Sequence, residues 1–187
     1  MSLRYSLVNN KMKKEGGFGM LEVVISVGIV SFSFVGLMGV FAYNYRVAML
    51  NRDRIVAAYL AQEAIEIVKQ KRDTNWFDGN AATVWNTGIP SGTGVTYVLR
   101  QTDRNDLTRG WTIVASSGAE SESLHKNNKG EYVQTTGLPS SFIDTHFKRT
   151  LNIEPADGGN AMKITVNVSI NNSNNVRVIS YLYDKWY

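Results

Sequence analysis

FGMLEVVISVGIVSFSFVGLMGVFAY, residues 18–43, decides the fold, because its 26 residues hold a single charged side chain, Glu22. As a helix rising ~1.5 Å per residue it reaches about 39 Å, more than the ~30 Å hydrocarbon core of a bilayer. The run is too long for a secretory signal, whose apolar core is ~7–15 residues. No small-residue cleavage site follows it, since Phe41-Ala42-Tyr43 puts large aromatics where small side chains are needed. One tilted membrane span is the economical reading. Lys11, Lys13 and Lys14 precede it, so the positive-inside rule places the N-terminus in the cytoplasm and everything after Tyr43 outside.

Beyond the span, Ala57, Leu60, Ala61, Ala64, Ile67 and Val68 recur at three- and four-residue spacing, with Gln62, Glu63, Glu66, Lys69 and Gln70 on the other face. No proline or glycine interrupts between Phe41 and Asp78. The pattern predicts helix over residues 18–72, about 80 Å long, half anchor and half domain scaffold. After Asp73 the spacing changes to short alternating runs between glycine and asparagine clusters, which reads as strands joined by turns. The candidate strands are Val95–Gln101, Trp111–Ser116, Tyr132–Thr135, Lys148–Glu154, Met162–Ile170 and Val176–Tyr183. Asp157-Gly158-Gly159-Asn160 and Asn171–Asn175 are turns that make the last three an antiparallel meander. The fold class is α+β: a long N-terminal helix packed on a C-terminal antiparallel sheet.

Upstream, residues 1–17 are polar and basic and end in Gly16-Gly17. They carry Arg4, Lys11, Lys13 and Lys14 against Glu15, so without them the formal charge falls from +4 to +1. Basicity therefore belongs to this leader and is poor evidence for nucleic-acid binding. The chain has no cysteine, which excludes disulfides and thiolate chemistry and leaves the compartment open. With 187 residues, 43% of them apolar, one globular domain with an appendage is the expected organisation. The boundaries read as leader 1–17, membrane helix 18–43, amphipathic helix 44–72 and β-rich domain 73–187.

Gly17-Phe18-Gly19-Met20-Leu21-Glu22 resembles the processing site of type IV prepilins and type II secretion pseudopilins. That motif is a glycine, a cut, a hydrophobic residue and a glutamate four residues on, inside a long apolar helix after a basic leader. The resemblance is detailed over residues 11–43 and architectural over the rest. It implies that a prepilin peptidase removes residues 1–17 on the cytoplasmic side and that the new Phe18 amine is methylated. It also implies that the distal half of the helix packs on the sheet and that the membrane helices of many subunits bundle in a filament core. The implied partners are that peptidase/methyltransferase, other pilin subunits, membrane lipid before assembly and a pilus assembly platform, with an extracellular pilus or pseudopilus as destination. No cofactor is implied. Many major pilins carry a proline about twenty residues after the cut, whereas this span has Gly28, Gly36 and Gly39. These permit local helix melting or close packing against a neighbouring helix. Ala61–Glu66, Arg72–Trp76 and Trp186 resemble minor pilins, which favours an accessory subunit. A secretion pseudopilin and a single-span anchored binding domain that never assembles are the alternatives.

Glu22 lies about one turn into the membrane helix, where an ionisable group costs roughly 2.5–3.5 kcal/mol at the bilayer centre. It reads either as a boundary carboxylate reaching the interface or as the partner of another subunit's Phe18 ammonium. Asp73, Asn75, Asp78 and Gly79 fail the spacing of an EF-hand calcium loop and read as a helix-ending turn, with Asp73 and Asn75 bonding nearby amides and Trp76 covering the sheet. Asp103–Asp106 reads as a solvated hairpin loop. His125 and His146 lie in polar segments, and Ser116, Ser117, Ser140 and Ser141 sit in no nucleophile elbow, so no catalytic constellation emerges. Tyr97, Trp111, Tyr132, Tyr181, Tyr183, Trp186 and Tyr187 read as sheet packing rather than a nucleic-acid platform. If the cut follows Gly17, Gly17→Asp abolishes leader removal by placing bulk and charge at the scissile bond, while Gly17→Ala impairs it only modestly. Leader retention on a gel checks this, and normal maturation of the aspartate variant would remove the assigned cut site.

Overall fold

In the computed structural model the described residues are 17, 19–77, 84–101, 110–134, 141–171 and 174–184. The elements, in order, are α1 (Met20–Phe77), β1 (Thr96–Gln101), β2 (Trp111–Ala115), α2 (Ala119–Glu122), β3 (Ser123–Lys126), β4 (Tyr132–Val133), β5 (Ile143–Ala156), β6 (Ala161–Ile170) and β7 (Asn174–Tyr183). The chain divides into two compact units, Met1–Ala48 and Met49–Tyr187.

In the first unit, Gly19 caps α1: its carbonyl accepts the N–H groups of Glu22 (2.9 Å) and Val23 (3.3 Å). α1 is a single helix of 58 residues, five longer at its C-terminal end than the periodicity predicts. The second unit shows why. Thr74 Oγ1 returns its hydrogen to the Gln70 carbonyl (2.8 Å), which keeps a turn-favouring side chain within the helix. Asn75 is buried and donates to the carbonyls of Trp85 (3.0 Å) and Thr87 (2.8 Å), holding the returning segment against the last turn. Asn75 therefore bonds carbonyls, not amides, and Asp73 pairs with Arg72 at 2.7 Å. Trp76 stays 43% exposed, and it is Trp85 that enters the core in its place. Gly88 is required here: its φ is +72°, and a Cβ would meet Lys71 Cε at 2.9 Å.

All strand pairs are antiparallel. β5 is the central strand. Lys148 pairs with both Ser123 and Ser169, and Asn152 with both Thr96 and Thr165, so β6 takes one edge of β5 while β3 and β1 share the other. β2 flanks β1, β4 flanks β3, and β7 closes the β5-β6-β7 meander that the sequence predicts. β5 starts at Ile143 rather than Lys148 because its first residues pair with β3, through His125↔Asp144 and Lys126↔Ile143. α2 and β3 were absent from the sequence reading, and β3 holds one apolar residue, Leu124, so it shows no alternation. β4 is two residues, and Thr135 of its expected span lies outside the described residues, as do Asp78, Gly79, Asp103–Asp106, Ser140, Trp186 and Tyr187.

Alternation does the rest. Leu151, Ile153, Ile164, Val166, Val168 and Leu182 point to one face and are buried against Ala57, Leu60, Ala61, Ala64, Ile65 and Val68 of α1. Three of these helix residues are alanines with no exposed surface, so the face of α1 against the sheet carries small side chains between its larger ones. Ile67, assigned to the stripe, is only partly buried, and Ile65 takes its place in the core. Each larger side chain contributes about 1.5–3 kcal/mol by leaving water.

One cation interrupts this core. Arg149 of β5 has no exposed surface. It donates through Nη1 to Glu63 Oε2 (2.7 Å) and the Leu60 carbonyl (3.2 Å), and through Nε to Gln134 Oε1 (3.3 Å). Gln134 Nε2 in turn donates to the carbonyls of Arg149 (2.6 Å) and Glu122 (3.0 Å). Burial pushes the guanidinium below its ordinary pKa, and the Glu63 carboxylate opposes that shift by attraction and by its hydrogen bond. Removing the cation leaves Gln134 and the Leu60 carbonyl short of a partner and opens a void beside α1. Arg149→Ala is therefore expected to lower unfolding stability by about 3–5 kcal/mol, and Arg149→Met by clearly less. Urea denaturation of the full chain in micelles, followed by tryptophan fluorescence, checks this. Equal losses for the two variants would mean that the void contributes nothing and that the lost charge and hydrogen bonds carry the whole effect.

Candidate assembly site

From Met20 to Tyr45 the large apolar side chains of α1 are exposed, Phe32 at 84% and Val35 at 73% among them. The helix is long and apolar enough in this part to cross a membrane, and none of its most apolar 18-residue window is buried. The hydroxyls within it are arranged for such surroundings. Ser31 Oγ donates to the Val27 carbonyl (2.7 Å) and Ser33 Oγ to the Ile29 carbonyl (2.8 Å), so neither needs water.

Glu22 occupies the first turn, three residues after the capping Gly19, where the exposed N–H groups and the positive end of the helix dipole favour a carboxylate. At about 100° per residue, Glu22, Ser26 and Ser33 fall within about 40° of one another. They form a narrow polar stripe on a mostly apolar surface. The sequence reading missed Ser26 and Ser33 as part of this stripe, and counting every polar residue around the helical wheel would have found them. Gly28, Gly36 and Gly39 lie within an arc of about 80°, and a Cβ built at any of them meets nothing within 4 Å. Among the described residues no contact calls for a glycine at these places. Gly17 is likewise exposed with nothing around it, and Phe18, assigned to cleavage, methylation and assembly, lies outside the described residues.

In the second unit, both histidines pair with acids distant in sequence. His125 Nδ1 is 3.3 Å from Asp144 Oδ1, joining β3 to β5, and His146 Nε2 is 3.3 Å from Asp53 Oδ2, joining β5 to α1. His125 is buried although its sequence neighbours are polar, its strand β3 lying between β5 and β4. A groove of about 620 Å³ opens between α1 and the β1-β2 and β4 strands, lined by Tyr59, Leu60, Glu63, Gln101, Trp111 and Tyr132 among others. Among the described residues, no group of three or more His, Asp or Glu side chains is placed to hold a metal. Ser116 Oγ donates to Glu122 Oε1 and Ser121 Oγ to the Gly118 carbonyl, with the two hydroxyls 3.2 Å apart, a turn network around α2 with no histidine in it.

Compared with protein-family models, curated proteins and solved structures, the chain matches none. The site consists of an apolar helical surface, a carboxylate in its first turn, a polar stripe and an arc of open glycines. If the glycines serve contact with another helix, Gly36→Ile and Gly39→Ile leave membrane insertion unchanged but sharply reduce recovery of the chain in sheared surface material. Vesicle flotation and shear fractionation check the two arms, and unchanged recovery would exclude close packing at these positions.

Proposed function

We propose that this chain is a type IV pilin-like filament subunit, of the minor or accessory kind. On this reading it is held in the membrane by residues 18–43, freed of residues 1–17 by a prepilin peptidase and assembled through its apolar helix into an extracellular filament. The observation that carries the reading is the surface of α1. An apolar half left exposed among the described residues bears one acid in its first turn, four residues after the Gly17-Phe18 step. That surface suits lipid before assembly and like helices after it.

The role of Glu22 follows from charge. Cleavage after Gly17 creates an ammonium at Phe18, and bringing it into an apolar bundle unpaired costs about 3–5 kcal/mol. Glu22 is the one acid within the span that can neutralise it. Attraction also sets axial register, since a subunit stops sliding where its amine meets the neighbour's carboxylate. Phe18 and Glu22 of one chain are four apart, so a pair within one helix competes with this account.

The chemistry on this reading is done to the chain by its processing partner, and no catalytic role is assigned to it. N-terminal sequencing of the mature protein separates the reading from an anchored domain that never assembles: methylated Phe18 is expected, and a retained leader would overturn it. Glu22→Ala is expected to keep insertion and leader cleavage while co-assembling poorly with wild-type chains. Equal incorporation of the processed variant would make the carboxylate a passive boundary residue.

A further inference from the structure

β7 has β6 on one side and no strand among the described residues on the other. One backbone bond fixes the phase of its ladder. Asp184 N–H donates to the Asn160 carbonyl (3.1 Å), on the register line that opposes Ala161 to Tyr183. Directly opposed residues of antiparallel strands alternate between pairs that exchange both backbone bonds and pairs that exchange none. The even-numbered residues of β7 therefore bond back to β6. Asn175, Arg177, Ile179, Tyr181 and Tyr183 turn their N–H and C=O groups to the open edge.

The side chains of these same residues stand on the sheet face away from the core, with Ile179, Tyr181 and Tyr183 between 44% and 51% exposed. The usual edge protection is missing. β7 contains no proline, its register with β6 runs unbroken from Asn174 to Tyr183, and Arg177 is its only charge.

We propose that β7 is an interaction surface for a second copy of this chain, the two β7 strands pairing antiparallel about a two-fold axis through Ile179. The strand is self-complementary about that residue. Ile179 falls opposite itself, Arg177 opposite Tyr181 and Asn175 opposite Tyr183, while on the core side Val176 meets Leu182 and Val178 meets Ser180. A guanidinium then meets a phenol ring instead of another cation, and apolar side chains meet apolar ones. All five open backbone residues gain partners. Moving the axis one residue either way leaves Tyr183 or Asn175 opposite no residue of β7. An unrelated extended peptide would satisfy the backbone edge but would have no use for this side-chain symmetry.

The chain has no cysteine, so single substitutions report the contact cleanly. The experiment uses the full chain in detergent micelles under mild oxidation and needs no filament, so it can fail without touching the filament reading, and the converse holds. Ile179→Cys is expected to give a disulfide-linked dimer, because opposed Cα atoms in a bonded pair lie ~5.5 Å apart. Arg177→Cys alone is expected to stay monomeric, its two copies being displaced by about 13 Å along the strands, whereas a mixture of Arg177→Cys and Tyr181→Cys cross-links. Ile179→Lys sets two ammonium groups opposite each other and is expected to weaken dimerisation on the order of tenfold, with circular dichroism checking that it folds. The proposal is overturned if Ile179→Cys yields no more dimer than Arg177→Cys, or if the mixture yields no more than its components.

Discussion

The apolar half of α1 is exposed among the described residues, and every other feature of that half is consistent with this constraint. In water each exposed valine, leucine, isoleucine or phenylalanine forgoes about 1.5–3 kcal/mol of burial, and the exposed side chains run from Met20 to Tyr45. Such a surface is stable in lipid or against similar helices. Both settings also demand that polar groups be satisfied within the helix, as Ser31 and Ser33 are by back-bonding. Beyond Ala48 the same helix meets a different demand. It must lie against a β-sheet, and the side chains that do so are alanines alternating with Leu60, Ile65 and Val68. One continuous backbone thus carries two compositions, each fitted to its own neighbours.

Arg149 shows how the second fit is made specific. An aliphatic side chain of equal size would fill the space between β5 and α1, and replacing a buried ion pair in this way is often neutral or stabilising. It would not choose between one turn of the helix and the next. The guanidinium does, because Glu63 Oε2 and the Leu60 carbonyl both lie within its reach. Gln134, buried beside it, carries the same network to the carbonyl at the end of α2. The Asp53–His146 pair adds a second fixed point further along α1.

These contacts also mark where the sequence stopped being informative. The apolar span, the alanine stripe and the three C-terminal strands were legible because each repeats with the period of its own backbone: 3.6 for α1, 2 for β6 and β7. Strand β3 was not, since Ser123–Lys126 carries one apolar residue and is a strand because β5 supplies the hydrogen bonds. The end of α1 was misjudged for a related reason. Asp73, Thr74 and Asn75 favour turns locally, but Asn75 finds its carbonyl partners ten and twelve residues downstream, which no local propensity encodes. The carboxylate at Glu22 was visible because a lone charge stands out in an apolar run. Its alignment with Ser26 and Ser33 appears only when the helix is taken around its axis.

The two association surfaces differ in symmetry, and that difference has a consequence. Contact between the apolar helices, as proposed, joins an amine at Phe18 of one copy to a carboxylate at Glu22 of another. Such a contact is heterologous, so each added subunit presents the same unmatched groups again and growth continues. The β7 contact is isologous: a two-fold axis satisfies both edges at once and growth through it stops at two. A chain that used only β7 would give dimers, and one that used only α1 would give a single polar array. Used together, the two would join arrays in pairs, with Ile179 on the axis between them. The exposed residues 175, 177, 179, 181 and 183 would then decide whether arrays associate sideways, while Glu22 and the glycine arc decide whether they form at all.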